Sequence, residues 1–335
     1  MSEINSAEKF IISSSRVTEL SPDRVTWIRI GEDSDGQRVD NFFLRVAKGV
    51  PKSHIYRLLR SGEVRVNKKR VKAETRLALD DIVRVPPIRV PQKRDLVPRA
   101  APISDDTLPI LFEDEHLLIV DKPAGLACHG GSGIAFGLIA SRPNQPFLEL
   151  AHRLDRDTSG AIIVCKSRKA LVRLQKSMRE GGIEKHYRTL VKGDWVNDRQ
   201  HVKLPLFKYV TKEGERRVRV DPEKGVPSHS IFTLIRRYGD VSFLDVELLT
   251  GRTHQIRVHA AESGHPLVGD DKYGDFDFNR EVSKGLLGIP FRRMFLHSYS
   301  LAFEHPVTHE KMKIESPLPE ACEELIRVLN ERKTV

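Results

Sequence analysis

FLELAHRLDRDTSGAIIVCK, Phe147 to Lys166, holds two short apolar runs on either side of a charged nine-residue loop. FLELA (147–151) and AIIVCK (161–166) read as strands, because runs this short, apolar and bounded by turn residues suit a pleated, half- or fully buried segment. The loop between them is HRLDRDTSG, His152 to Gly160. Asp155 therefore stands at a strand-to-turn junction between two guanidinium groups, Arg153 and Arg156, in the kind of loop where a rigid scaffold displays chemistry. A carboxylate with such neighbours is kept ionised. The same spacing of charges also suits a solvated turn, so the rest of the chain has to decide.

Downstream and just upstream of this loop the chain is strand-rich. ILFEDEHLLIVDKP (110–123) predicts a hairpin around Asp114-Glu115, and EKHYRTLVKG (184–193), SIFTLIRR (230–237), VSFLDVELL (241–249), MFLHSYSLAF (294–303) and MKIES (312–316) predict further strands. In VSFLDVELL, Leu244, Val246 and Leu248 share one face. Helices are predicted over 168–180, capped by Ser167 and closed by Gly181-Gly182, over HQIRVHAAES after Thr253, and over 318–332. Strands dominate and helices are interspersed irregularly, which points to an α+β fold on a mixed or antiparallel sheet. The glycine-rich HGGSG (129–133) lacks the strand-to-helix context of a phosphate-binding fingerprint and reads as a flexible loop, so no nucleotide cofactor is expected.

Charge separates the front of the chain from this body. Residues 36–95 carry 16 Lys+Arg against 6 Asp+Glu, so the whole formal excess of +10 lies in one short segment. A surplus so confined predicts a polyanion-binding module joined to a near-neutral domain. Within it, RVDNFFLRVAK (38–48) has a helical period through Val39, Phe42, Phe43 and Val46, and Gly49 follows as a stop. A second helix is predicted from Pro51 to Arg60, closed by Gly62. Ile55, Leu58 and Leu59 fall on its packing side, while Lys52, Tyr56, Arg57 and Arg60 fall on the side left free for phosphate. EVRV (63–66), a turn at Asn67-Lys68 and IVRV (82–85) after an Asp80-Asp81 turn complete a small α+β unit. Pro86, Pro87, Pro91, Pro98 and Pro102 then mark a semi-rigid tether. The expected organisation is an extension over 1–35 without strong periodicity, in part disordered, a basic module over 36–95, a linker over 96–108 and a large domain over 109–330.

At 335 residues the chain is long enough for about two cores. It holds no run approaching the ~18–20 apolar residues of a membrane helix, and MSEINSAEKF lacks a signal-peptide layout, so a cytoplasmic address away from membranes is expected. Three scattered cysteines, Cys128, Cys165 and Cys322, are too few for a disulfide framework or thiolate metal site and read as small buried hydrophobes.

The front segment resembles the S4 RNA-binding domain, through Gly62-Glu63-Val64-Arg65-Val66-Asn67 and Asp81-Ile82-Val83-Arg84-Val85. The large domain resembles the RluA-type pseudouridine synthases, which carry, in the same order, HRLDRDTSG, KHYRTLVKG, TGRTHQIRVH (250–259) and GHPLVGDDKYG (264–274). The resemblance implies an isomerase of uridines in large-subunit ribosomal RNA that uses no cofactor and no metal, gripping structured RNA by shape and backbone. It implies Asp155 as the catalytic carboxylate, Tyr187 as the ring packed on the target uracil and Arg257 as the partner that keeps Asp155 ionised. Arg153 would fill the space of the flipped base, with Arg252 beside it, and Lys52, Arg57, Arg60, Lys68, Lys69 and Arg70 would bind RNA on the small module. A monomer is expected.

Other classes fit less well. His254/His259 and His305/His309 could suggest a metalloenzyme, but Pro306 and Thr308 break the second pair and no carboxylate motif accompanies either. Asp155/Asp157 could suggest a two-carboxylate hydrolase, to which an i, i+2 pair among arginines is poorly suited. The remaining alternative is a non-catalytic RNA-binding factor of ribosome assembly.

Overall fold

The computed structural model describes residues 11–14, 20–31, 34–47, 49–90, 108–128, 145, 147–212 and 214–332. HGGSG and most of the proline-rich tether lie outside the described residues. The chain divides into two compact units: Met1–Ala101 with Pro143–Phe147 and Lys166–Lys169, and Pro102–Arg142 with Leu148–Cys165 and Ala170–Val335.

In the first unit the order is β1 (Ile11–Ser13), β2 (Thr26–Arg29), α1 (Val39–Val46), α2 (Lys52–Ser61), β3 (Arg65–Val66), β4 (Lys69–Arg70) and β5 (Ile82–Val85). Its five-stranded sheet runs β1-β2-β5-β3-β4. Val39, Phe42 and Phe43 of α1 and Ile55, Leu58 and Leu59 of α2 are buried against Ile28, Val83 and Val85, which is the apolar face the helical period selects. Gly62 ends α2 in the left-handed conformation (φ 75°), and Asn67 and Lys68 both take positive φ in the two-residue β3–β4 turn. Within the stretch 1–35, expected to be in part disordered, Thr26–Arg29 pairs with β5 and Ile28 and Ile30 are fully buried. The alternation there spans only four residues, too short to stand out from the polar sequence around it.

The second unit follows as β6 (Ile110–Glu113), β7 (Leu117–Lys122), β8 (Glu149–Leu150), β9 (Ser159–Cys165), α3 (Arg168–Arg179), β10 (Ile183–Lys192), β11 (Arg199–Lys203), β12 (Leu206–Val210), β13 (Arg216–Val220), β14 (His229–Arg237), β15 (Val241–Leu248), α4 (Gln255–Glu262), α5 (Phe276–Lys284), β16 (Leu296–Glu304), β17 (Lys311–Glu315) and α6 (Glu320–Glu331). A ten-stranded sheet runs β11-β14-β15-β10-β16-β9-β7-β6, with β17 on β16 and β8 on β9. All its pairings are antiparallel except β16 with β9, which makes the sheet mixed. The α+β class expected from the strand-rich sequence is therefore the one observed.

The parallel junction explains the glycine that ends HRLDRDTSG. Gly160 sits opposite Ser298 at φ 112°, and a Cβ there would lie 2.3 Å from the Ser298 carbonyl oxygen, inside backbone that cannot yield cheaply. β12 and β13 form a separate two-stranded hairpin, and α5 starts at Asp275, whose carboxylate accepts from the Phe278 N–H at 2.9 Å. Neither element was expected, although Asp275 and Gly285 are ordinary start and stop signals. At α4 the capping residue is His254, in the left-handed conformation (φ 52°, ψ 21°), rather than Thr253.

Candidate active site

The loop after β8 carries Asp155 above a buried support. Lys122, fully buried at the end of β7, donates to the carbonyl oxygens of Pro123 (2.9 Å), Leu126 (2.8 Å) and Arg156 (2.9 Å). Burial pushes its ammonium down to about 8. The buried Cys128 thiol donates to the Leu154 carbonyl (3.1 Å) and accepts from the Leu154 N–H (3.2 Å), so it satisfies both backbone groups of the residue before Asp155. His152 accepts from the Ile163 N–H at 3.1 Å, and burial holds its imidazole neutral, down to about 4. The loop is thus pinned on both flanks of Asp155. Cys128 does more than fill space, and neither it nor Lys122 had a role in the sequence reading.

Asp155 is anchored through one oxygen. Its Oδ2 lies 3.6 Å from Arg257 Nη1 and 3.9 Å from His254 Nε2, while Oδ1 has no partner among the described residues. Its side chain is 17% exposed, enough to face an incoming group. Arg257, on α4, is 2% exposed and gives its stronger bonds elsewhere: Nε and Nη2 reach Asp270 Oδ2 and Oδ1 at 2.7 and 2.6 Å, and Nη2 reaches Asp271 at 3.1 Å. Burial alone would push the Asp270 carboxyl up. The Arg257 fork and the backbone N–H groups of Tyr273 and Lys272 outweigh it and leave Asp270 below the usual carboxylate range. Asp270 is therefore the fixture that aims the guanidinium, a residue sequence reasoning quoted within GHPLVGDDKYG but gave no task.

A second chain of bonds fixes His254. The Tyr273 hydroxyl accepts from the Val218 N–H at 2.9 Å and lies 2.7 Å from His254 Nδ1. A hydroxyl that donates its one proton to Nδ1 leaves the imidazole proton on Nε2, the nitrogen nearer Asp155. Burial pushes the His254 pKa down, against the opposing charge of Asp155, so the ring is neutral. The loop before α4 is held by Gln255, whose Oε1 accepts from the Arg252 N–H (3.0 Å) and the Thr250 hydroxyl (2.7 Å).

Tyr187, on β10, is 5% exposed. A register shift between His186 and Tyr187 in the pairing with β16 re-aims its ring at the cleft, and its hydroxyl bonds to Ser298. Asp155, Tyr187 and Arg257 line one cleft of about 80 Å³, together with Arg153, Arg252 and His254. Arg153 is exposed at its mouth, with no hydrogen bond or ion pair to a described residue. Arg252 is exposed as well and donates only to the Pro227 carbonyl, at 3.4 Å. The distant segments named from sequence thus meet at one place. His259 does not join His254 there; it bonds to the Ser228 hydroxyl at 2.8 Å.

On the first unit, Lys52, Arg57, Arg60, Lys68, Lys69 and Arg70 are all exposed. Arg60 and Arg70 line an open cleft of about 490 Å³. Tyr56, expected on the free face, instead donates to Asp40 at 3.1 Å, which Arg38 also holds. No helix among the described residues is long and apolar enough to cross a membrane.

Comparison with known proteins adds a family to this geometry. Residues 116–262 match the family described as RNA pseudouridylate synthase, and residues 37–83 match the S4 domain. The chain is 47% identical over 316 residues to the ribosomal large subunit pseudouridine synthase C of Pasteurella multocida, covering 92% of this chain and 95% of that protein. It is 46% identical over 308 residues to the protein of the same name in Escherichia coli K12, covering 90% and 96%. Among solved structures, human RNA pseudouridylate synthase domain containing 1 aligns with a TM-score of 0.53 at 26% identity, covering 69% of this chain and 98% of that one.

Proposed function

Because the chain belongs to the RNA pseudouridylate synthase family, we propose that it isomerises uridines of large-subunit ribosomal RNA to pseudouridine in the cytoplasm, with Asp155 as the catalytic carboxylate. The observation that carries this reading is the place of Asp155 on the cleft wall, its Oδ2 3.6 Å from Arg257 Nη1 and 3.9 Å from His254 Nε2.

The reaction breaks the N1–C1′ bond, turns the uracil, joins C5 to C1′, and moves one proton from C5 to N1. It is balanced within the nucleotide and consumes no oxidant, reductant or donated group. What it requires of the protein is an ionised carboxylate in a site screened from water, whether that oxygen attacks the nucleotide or takes a sugar proton. Arg257 stabilises the charge on Asp155, and Asp270 and Asp271 keep Arg257 in place. Tyr187 offers the flipped base a flat wall. Unstacking a base costs about a few kcal/mol, and Arg153, unpaired at the cleft mouth, enters the vacated space in the RNA and offsets part of it. The exposed cations Lys52, Arg57, Arg60, Lys68, Lys69, Arg70 and Arg252 add backbone contacts.

The test is to incubate the purified chain with unmodified large-subunit rRNA and map pseudouridine by carbodiimide-dependent reverse-transcription stops. Stops at discrete uridines are expected. RNA binding without any stops would make the chain a passive binder.

The Tyr273–His254 link gives a finer expectation. Tyr273→Phe removes the 2.7 Å hydrogen bond that orients the His254 imidazole, whose Nε2 lies 3.9 Å from Asp155 Oδ2. A hydrogen bond is worth about 0.5–1.5 kcal/mol net, so kcat should fall by up to about tenfold. KM for rRNA should not change. Single-turnover rates across RNA concentrations check this, and a change in KM alone would assign Tyr273 to RNA binding.

A further inference from the structure

A second cleft adjoins the Asp155 site and is far larger, about 430 Å³ against about 80 Å³. The two share Arg153 and Tyr187 as a common wall. Four cations line the larger one, Arg153, Arg179, Lys185 and Arg252, and no carboxylate does. None of the four forms an ion pair with a described residue.

Other cations of this unit do have counter-charges. Arg188 pairs with Asp245 at 3.2 Å, Lys192 with Asp275 at 2.5 Å, Arg217 with Glu215 at 2.8 Å and Arg219 with Asp221 at 3.1 Å. Lys185 is the most telling of the unmatched set, because it is partly buried and burial pushes its pKa down. An ammonium that has lost hydration without gaining a counter-charge is destabilising until an anion arrives. Beside the cations lie Met178, Leu248 and Leu249, the last 44% exposed. Cations next to bare apolar surface fit a ligand that is anionic at one end and flat and apolar at the other.

We propose that this cleft receives the nucleotide adjoining the target uridine in the same RNA strand, its phosphodiester held by Lys185 and Arg179 and its base laid on Met178 and Leu249. The proposal rests on the reading of the Asp155 cleft as the seat of a flipped uridine and adds to it a subsite for the flanking backbone. Continuity through Arg153 and Tyr187 favours a strand over a free anion, since a base entering the small cleft carries its neighbour into the large one. A lone phosphate would leave most of the larger volume unfilled.

The experiment measures binding of the full-length chain to unmodified large-subunit rRNA across salt concentrations, for wild type, Lys185→Gln, Arg179→Gln and Lys185→Arg. Losing one phosphate contact to a single strand should lower the slope of log affinity against log salt by about 0.7. That decrease is expected for Lys185→Gln and Arg179→Gln, with kcat at saturating RNA unchanged and the slope restored by Lys185→Arg. Arg179 is exposed, so its variant keeps the test decisive if Lys185→Gln folds poorly. Unchanged slopes in both glutamine variants would overturn the subsite, as would slopes unchanged with inorganic phosphate inhibiting wild type but not Lys185→Gln. The slope is read from binding, so a wild type that binds rRNA but forms no pseudouridine would sink the parent reading separately.

Discussion

Asp155→Asn is expected to leave rRNA binding and folding at wild-type level and to reduce pseudouridine formation by at least ~10³-fold, the range in which a positioned acid–base or nucleophilic group operates. The substitution keeps shape and removes only charge. Asn can still present an oxygen to Arg257 Nη1, which lies 3.6 Å away in the wild type, with His254 Nε2 beside it. Arg257 loses little support, because Asp270 and Asp271 hold it independently. The loop also keeps its scaffold, since Lys122 and Cys128 bind the backbone of Arg156 and Leu154 rather than the Asp155 side chain. Nothing in the fold therefore depends on the lost charge, whereas the chemistry does. Single-turnover assays on large-subunit rRNA, filter binding and a thermal melt run on one preparation would separate the two. Activity within tenfold of wild type would remove Asp155 from the mechanism.

The sequence showed the parts of this site that are local and hid those that are made by packing. HRLDRDTSG between two apolar runs places Asp155 in a loop with no need of coordinates, and β10, β14 and β15 follow from alternation and apolar runs. The basic front module was legible for the same reason, since its helices carry a clear period and its charge is confined. Residues 26–30 were not, because a four-residue strand gains its burial from β5, more than fifty residues away. Arg257 could be named from its motif, but not that its main bonds go to Asp270. A helix residue and a loop thirteen positions on are brought together by the turn after α4, which no period encodes. The left-handed His254 is the clearest case: propensity favours Thr253 as the cap, yet the chain accepts a strained backbone there and with it points an imidazole at Asp155. Local rules tend to fail where function imposes its own geometry, and this position illustrates it.

Removing Arg257 tests whether that geometry is scaffold or chemistry. In Arg257→Met the Asp270 carboxylate, 0% exposed, keeps only its bonds from the Lys272 and Tyr273 N–H groups, at 2.8 and 3.0 Å. Breaking a buried pair from one side costs about 3–5 kcal/mol, which for a domain of this size lowers Tm by roughly 6–20 °C. Both backbone N–H groups donate to the same oxygen, Oδ1, so Asp270→Asn can retain them while removing the stranded charge. The double variant Arg257→Met/Asp270→Asn should therefore recover much of the lost Tm, because a neutral amide is cheaper to bury than an unpaired carboxylate. Activity should not recover with it. Asp155 would still face the cleft without the guanidinium that keeps its charge favourable, leaving only the neutral His254 beside Oδ2. Melting curves and single-turnover rates on wild type, both single variants and the double variant decide the matter. A double variant that regains stability and near-wild-type rate would make Arg257 a structural strut for Asp270 and remove it from the chemistry.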